Sequence, residues 1–177
     1  MSRNANGGAP VPEGGWLDGE QQRAWLAYIR LQLRLTYEMN RQLQSDSDLS
    51  LPDYDVLTAL STADGGPMPI TVLAAQIGWE RSRVSHHVRR MTQRELVSCS
   101  LSANDRRVTE VSLTRHGRKV LEAAAAGHVE LVRRLFFDGL PRELVGPLSQ
   151  ALESVYANTI AQGTLPAPAD WQPPGGE

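Results

Sequence analysis

Ser82, Arg83, Ser85, His86, Arg89 and Arg90 are crowded into one short stretch of the chain. At roughly 100° per residue of helix, Val84, Val88 and Met91 gather on one side of that stretch. Ser82, His86, Arg89 and Gln93 then lie directly opposite, with Arg83, Ser85 and Arg90 flanking them. Each of these outward side chains can donate or accept a hydrogen bond, and no carboxylate joins them before Glu95. This is the chemistry of recognition. Short polar residues near a helix start can approach base edges in a major groove, and arginines further along can meet phosphate or guanine. A solvated helix with a chance basic face is the alternative, but such faces ordinarily mix both signs.

A second cluster follows at Asn104-Asp105-Arg106-Arg107. Two guanidinium groups on a short turn suit a narrow minor groove, which attracts arginine. Asp105 is expected to act within the chain, holding Arg107 in a fork-to-carboxylate pair so that Arg106 points outward.

The charge balance agrees with an anionic partner. Between Trp79 and Lys119 ten basic residues face four acidic ones, a local +6 that leaves −8 for the rest of a chain of net charge −2. Positive potential is thus focused on one segment of an acidic protein.

Other reactive residues are sparse. The single cysteine, Cys99, excludes an internal disulfide framework and is too few for a structural zinc site; burial in a strand is its expected state rather than redox sensing. His86 and His87 are adjacent, point about 100° apart on a helix and suit one metal poorly; His116 and His128 are isolated, and no metal site is expected. No nucleophile elbow, phosphate loop or metal-hydrolase motif is present, so neither an enzyme nor a cofactor is expected. Trp25, Tyr28 and Tyr37 form a candidate pocket for a small aromatic effector, or else are core and interface aromatics.

These groups need a scaffold. No Gly or Pro interrupts Glu20 to Leu43, where Leu26, Ile29, Leu33 and Tyr37 recur at helical spacing beside a second stripe of Trp25, Leu31, Leu35 and Met39. Pro52 suits the first turn of a second helix. Ala63 to Pro67 reads as a loop, and Thr71 as the cap of a short helix stopped by Gly78. A helix from about Glu80 to Arg94 precedes a hairpin of Leu96–Leu101 and Val108–Leu113. Thr114 caps a long helix through Phe137, and a last helix carries Leu144, Leu148, Leu152, Val155 and Tyr156. One small domain cannot cover so many apolar stripes, which predicts intertwining with a second copy.

Leu73-Ala74-Ala75-Gln76-Ile77-Gly78, Ser82-Arg83-Val84-Ser85, Leu96-Val97, Asp105-Arg106-Arg107-Val108 and Leu113-Thr114-Arg115-His116-Gly117 together resemble the MarR family of bacterial regulators, in order and spacing, from about residue 50 to 120. The resemblance implies a homodimer on a pseudo-palindromic operator, its affinity modulated by a ligand or oxidant. It implies Ser82, Arg83, Ser85, His86, Arg89 and Arg90 in or beside the major groove. It places Arg106 in the minor groove, with Arg107 on Asp105 or the DNA backbone. Two features depart from the family pattern. Glu95 stands where the family usually has a glycine, which means a strained helix exit or a different one, and Ser98-Cys99-Ser100 replaces the charged residues often found on the first wing strand.

The expected fold is mainly α with a small β-hairpin wing, a winged helix-turn-helix flanked by long N- and C-terminal dimerisation helices. Its segments are a flexible tail (1–15), an N-terminal dimerisation helix (16–48), the DNA-binding module (50–116), C-terminal dimerisation helices (117–162) and a second flexible tail (163–177), with Trp16 and Trp171 placed to tack the tails down. The expected function is sequence-specific binding of double-stranded DNA, as a repressor first and an activator second. No membrane-spanning run and no signal-peptide core are seen, so a cytoplasmic location is expected. A winged helix turned to protein partners would instead present acidic or apolar residues on the outward face.

Overall fold

The start of each long helix is written in a few side chains. In the computed structural model, which describes residues 16–62 and 66–172, α1 spans Gly19–Ser47. Asp18 accepts from the backbone N–H groups of Glu20 and Gln21, both at 2.9 Å, while the Gln21 side chain accepts from the Asp18 N–H at 3.1 Å. The reciprocal pair satisfies donors that have no partner inside the helix. The same device opens α2 (Leu51–Thr62): Ser50 Oγ accepts from Asp53 N–H at 3.1 Å, and the Asp53 carboxylate accepts from Ser50 N–H at 2.9 Å. The tail 1–15, most of the loop expected at 63–67, and the last five residues lie outside the described residues.

The chain divides into two units, one ending at Tyr37 and the other beginning at Glu38. In the first, α1 exposes Trp25, Leu26, Tyr28, Leu31, Leu33 and Tyr37, with the Trp25 and Tyr28 rings 5.6 Å apart. Trp16 is itself exposed.

The second unit holds the core. After α2 come β1 (Met68–Pro69), α3 (Ile70–Gln76), α4 (Arg81–Gln93), β2 (Val97–Leu101), β3 (Thr109–Leu113), α5 (Arg115–Val132) and α6 (Arg142–Gln162). Leu57, Leu60, Leu73, Val84, Val88, Met91, Leu96 and Val111 are fully buried and come from α2, α3, α4, the link before β2, and β3. Truncating one of the leucines or Met91 to alanine would cost about 2–5 kcal/mol through lost transfer energy and a residual cavity. The helix-turn-helix is therefore held by side chains under α3 and α4, leaving the outer side of α4 free.

Three details differ from the sequence expectation. Thr71 does not cap α3; the helix begins at Ile70 and has no side-chain cap, because its N-cap residue is Pro69, whose ring offers no acceptor. The wing is a three-stranded antiparallel sheet in the order β1-β3-β2, since Met68 pairs with Val111 and Pro69 with Glu110. A two-residue strand carries too short a pattern to be seen in sequence. The helix from Thr114 to Phe137 is also not uniform: α5 ends at Val132 and continues as a π-helical turn over Arg133–Phe137, closed by Asp138 N–H donating to the Arg133 carbonyl at 2.9 Å.

Gly78 ends the turn between α3 and α4 at φ +67°, a conformation glycine adopts without a Cβ penalty. Thr114 caps α5, its hydroxyl accepting from Gly117 N–H at 2.8 Å. Further on, Trp171 meets Tyr156 edge-on at 4.9 Å, and Gln76 donates to the Asp170 carboxylate at 3.0 Å. On α5, the π turn and α6, Val129, Leu135, Phe137, Leu144, Leu152, Val155 and Tyr156 are exposed. Among the described residues no helix is long and apolar enough to cross a membrane.

Candidate nucleic-acid interface

Helix α4 has two sharply different sides. Val84, His87, Val88 and Met91 are buried. Ser82, Arg83, His86, Arg89, Arg90 and Gln93 are exposed. Ser85 is half-buried, and its hydroxyl donates to the Arg81 carbonyl at 2.9 Å, which leaves its oxygen lone pairs as acceptors. Arg89 makes no ion pair among the described residues. Arg83 lies over the Trp79 ring, its guanidinium carbon 3.9 Å from the ring centroid. Stacking of this kind fixes a guanidinium plane while leaving its edge donors free.

A buried polar network lies under this helix, and the sequence reading missed it. The Asp53 carboxylate accepts from Arg94 Nη1 at 2.8 Å and lies 2.9 Å from His87 Nε2, whose N–H is directed off the line to the oxygen. Arg94 also reaches the Asp48 carbonyl. Burial pushes the Asp53 carboxyl up, but His87, Ser50 and Arg94 outweigh it and hold the group well below the usual carboxylate range. The signal was present in Ser50 and Asp53, three apart before a helical run, and in His87 three residues ahead of Arg90.

At the wing tip, Asp105 takes Arg107 in a fork: Oδ1 accepts from Nε at 3.1 Å and Oδ2 from Nη2 at 3.2 Å. The same carboxylate accepts from Arg107 N–H at 3.0 Å, and these bonds with Arg107 hold its pKa below the ordinary value. Arg106 is exposed and has no ion pair among the described residues. One charge at the tip is neutralised and its neighbour is left over.

A family model of MarR-family regulators matches residues 49–109. The HTH-type transcriptional repressor IacR of Pseudomonas putida is 33% identical over 137 residues, covering 76% of this chain and 77% of that protein. The chain belongs to the MarR family. It is accordingly a transcription regulator, and its relatives are not enzymes. Among solved structures, the MarR-family regulator AbsC of Streptomyces coelicolor is 33% identical with a TM-score of 0.78, covering 83% of this chain and 99% of that one. Sco3205 of the same organism, solved in complex with DNA, is 32% identical with a TM-score of 0.80, covering 86% and 99%.

Against the MarR pattern, Glu95 takes the strained exit: it adopts φ 57°, the left-handed conformation that the family's usual glycine reaches freely. Cys99 is a correction. Strand propensity predicts burial, but the side chain is exposed, with Sγ 3.8 Å from Thr92 Oγ1. Only Val97 of β2 meets the core; the remaining residues leave the body as the wing. Trp25, Tyr28 and Tyr37 are exposed along α1 rather than enclosed. The second unit contains a cavity of about 650 Å³ whose lining includes Met39, Tyr54, Asp55, Thr58, His128 and Tyr156. Burial raises the Tyr54 and Asp55 pKa values and lowers that of His128, whose ring lies 4.4 Å from Tyr54. Among the described residues no group of three or more His, Cys, Asp or Glu side chains could hold a metal ion.

Proposed function

We propose that this chain is a homodimeric repressor that binds a pseudo-palindromic operator, with α4 in the major groove and the wing in the minor groove. The observation that carries the reading is the outer face of α4, where Ser82, His86, Arg89 and Gln93 are exposed without a carboxylate among them. Ser82, Ser85 and His86 read base edges, while Arg83, Arg89 and Arg90 meet phosphates or guanine. Arg106 enters the minor groove, and the Asp105–Arg107 fork stiffens the turn that presents it. The exposed apolar residues of α1, α5 and α6 support assembly with a second copy, because their surface has no cover within one chain. Trp25, Tyr28 and Tyr37, exposed in one chain, are interface aromatics of the dimer or else, with a second copy beside them, one wall of a pocket for a small aromatic effector.

Selection of binding sites from a random duplex library tests the reading. The expected result is an inverted repeat with half-site centres about one helical turn apart. Arg106→Ala should weaken binding, and His86→Ala should alter the selected sequence. Absence of any enrichment at low salt counts against it. Light scattering that found a stable monomer at micromolar concentration would sink the dimer.

A further inference from the structure

His87 is the one side chain of α4 that touches both the buried carboxylate and an outward arginine. Asp53 and His87 are only 4% and 7% exposed. One ring nitrogen, Nε2, lies 2.9 Å from Asp53 Oδ1, and the other, Nδ1, lies 2.8 Å from Arg90 Nη2. A guanidinium has donors and no acceptor, so Nδ1 must be the acceptor in that bond and the ring proton sits on Nε2, beside the carboxylate. Asp53 is fixed in turn by Ser50 N–H at 2.9 Å and Arg94 Nη1 at 2.8 Å. The ring is also bounded by Trp79, edge-on with centroids 5.5 Å apart, the indole over which Arg83 stacks. A long arginine side chain on a helix surface ordinarily samples many rotamers; here its head is tied from below.

We infer that Asp53 and His87 form a positioning pair: the carboxylate charge beside Nε2 favours the ring proton there, and the bare Nδ1 sets the Arg90 guanidinium on the outer surface of α4. His87 does not touch DNA. It acts through Arg90, lowering the conformational freedom that the arginine would otherwise lose on binding. The inference rests on the proposed reading of Arg90 as a DNA contact. Glutamine at position 87 could reproduce the arrangement, its amide N–H donating to Asp53 and its oxygen accepting from Arg90. Phenylalanine would fill the space and supply neither.

Two measurements test this. Long-range proton–nitrogen NMR correlation on the native protein should show His87 Nε2 protonated and Nδ1 bare; the opposite tautomer overturns the inference without touching the reading of Arg90. Affinity should then be measured for the duplex that the native protein enriches from a random library. Arg90→Ala and His87→Phe should each weaken binding about tenfold, His87→Gln should stay near native, and His87→Phe should cost nothing further in the Arg90→Ala background. A full additional loss there would show a merely structural role and overturn the inference. An Arg90→Ala protein with native affinity overturns both the inference and the reading beneath it.

Discussion

A Cβ added at Gly117 would lie 1.9 Å from the carbonyl oxygen of Leu96. The same carbonyl receives Thr114 N–H and Thr114 Oγ1, each at 3.2 Å. The residue that follows the exit of α4 is thus bound to the first turn of α5, and only glycine allows that approach.

Gly117→Ala must therefore move backbone against backbone. The expected cost is about 3 kcal/mol, the upper range for overpacking, or roughly 10 °C in the thermal midpoint of a chain this size. A circular-dichroism melt reads it directly, and an unchanged midpoint would contradict the contact.

Glu95 presents the opposite case. Left-handed φ costs a residue with a Cβ about 1–2 kcal/mol, whereas glycine loses about 0.5–1 kcal/mol of chain entropy on folding. Relief outweighs entropy, so Glu95→Gly should raise stability by roughly 0.5 kcal/mol. Urea titration of Glu95→Gly beside Glu95→Ala separates the backbone effect from loss of the carboxylate, since alanine keeps the strained φ.

Asp53 should govern the acid limb of stability. Its carboxyl pKa is lowered in the folded chain. The resulting stabilisation is present above the unfolded value, about 3.9, and is lost as the pH falls towards the lower folded value. Asp53→Asn leaves His87 and Arg94 without their carboxylate and should cost about 3 kcal/mol at neutral pH. The variant should also lose stability less steeply than native protein below about pH 4. Denaturant midpoints across a pH series test both statements; parallel curves would remove Asp53 from the account.

Arg106 and Arg107 should differ on DNA despite being neighbours. Arg106 has no ion-pair partner among the described residues, whereas Arg107 is forked onto Asp105. Arg106→Ala should reduce the slope of log affinity against log salt by about 0.9 for each subunit, the value for one neutralised phosphate, and so by roughly twice that for a dimer on its operator. Arg107→Ala should change it less. Equal slopes for the two variants would mean that the fork opens on binding.

Much of this was legible because the relevant signals are local. Periodicity in Val84, Val88 and Met91 placed the buried side of α4, and the Asp105–Arg107 spacing anticipated the fork. What escaped depends on distant chain segments. Asp53 and Arg94 are 41 residues apart, so nothing in either neighbourhood announces their bond. Cys99 follows the same logic, because its exposure depends on where the wing leaves the body and not on strand propensity. The π-helical turn has no composition of its own, and Arg133–Phe137 reads as ordinary helix.

The bond from Gln76 to Asp170 spans 94 residues of chain. During synthesis at about 5–20 residues per second, that separation amounts to roughly 5–20 s. The core that seats α3 and α4 draws its buried apolar residues from Leu43 to Ala124, so its last member is made well before Asp170. The helix-turn-helix of this regulator thus has its whole hydrophobic complement while the segment around Asp170, which will fasten α3, is still unmade. Timing, as well as strength, makes that fastening a late addition to a module already assembled.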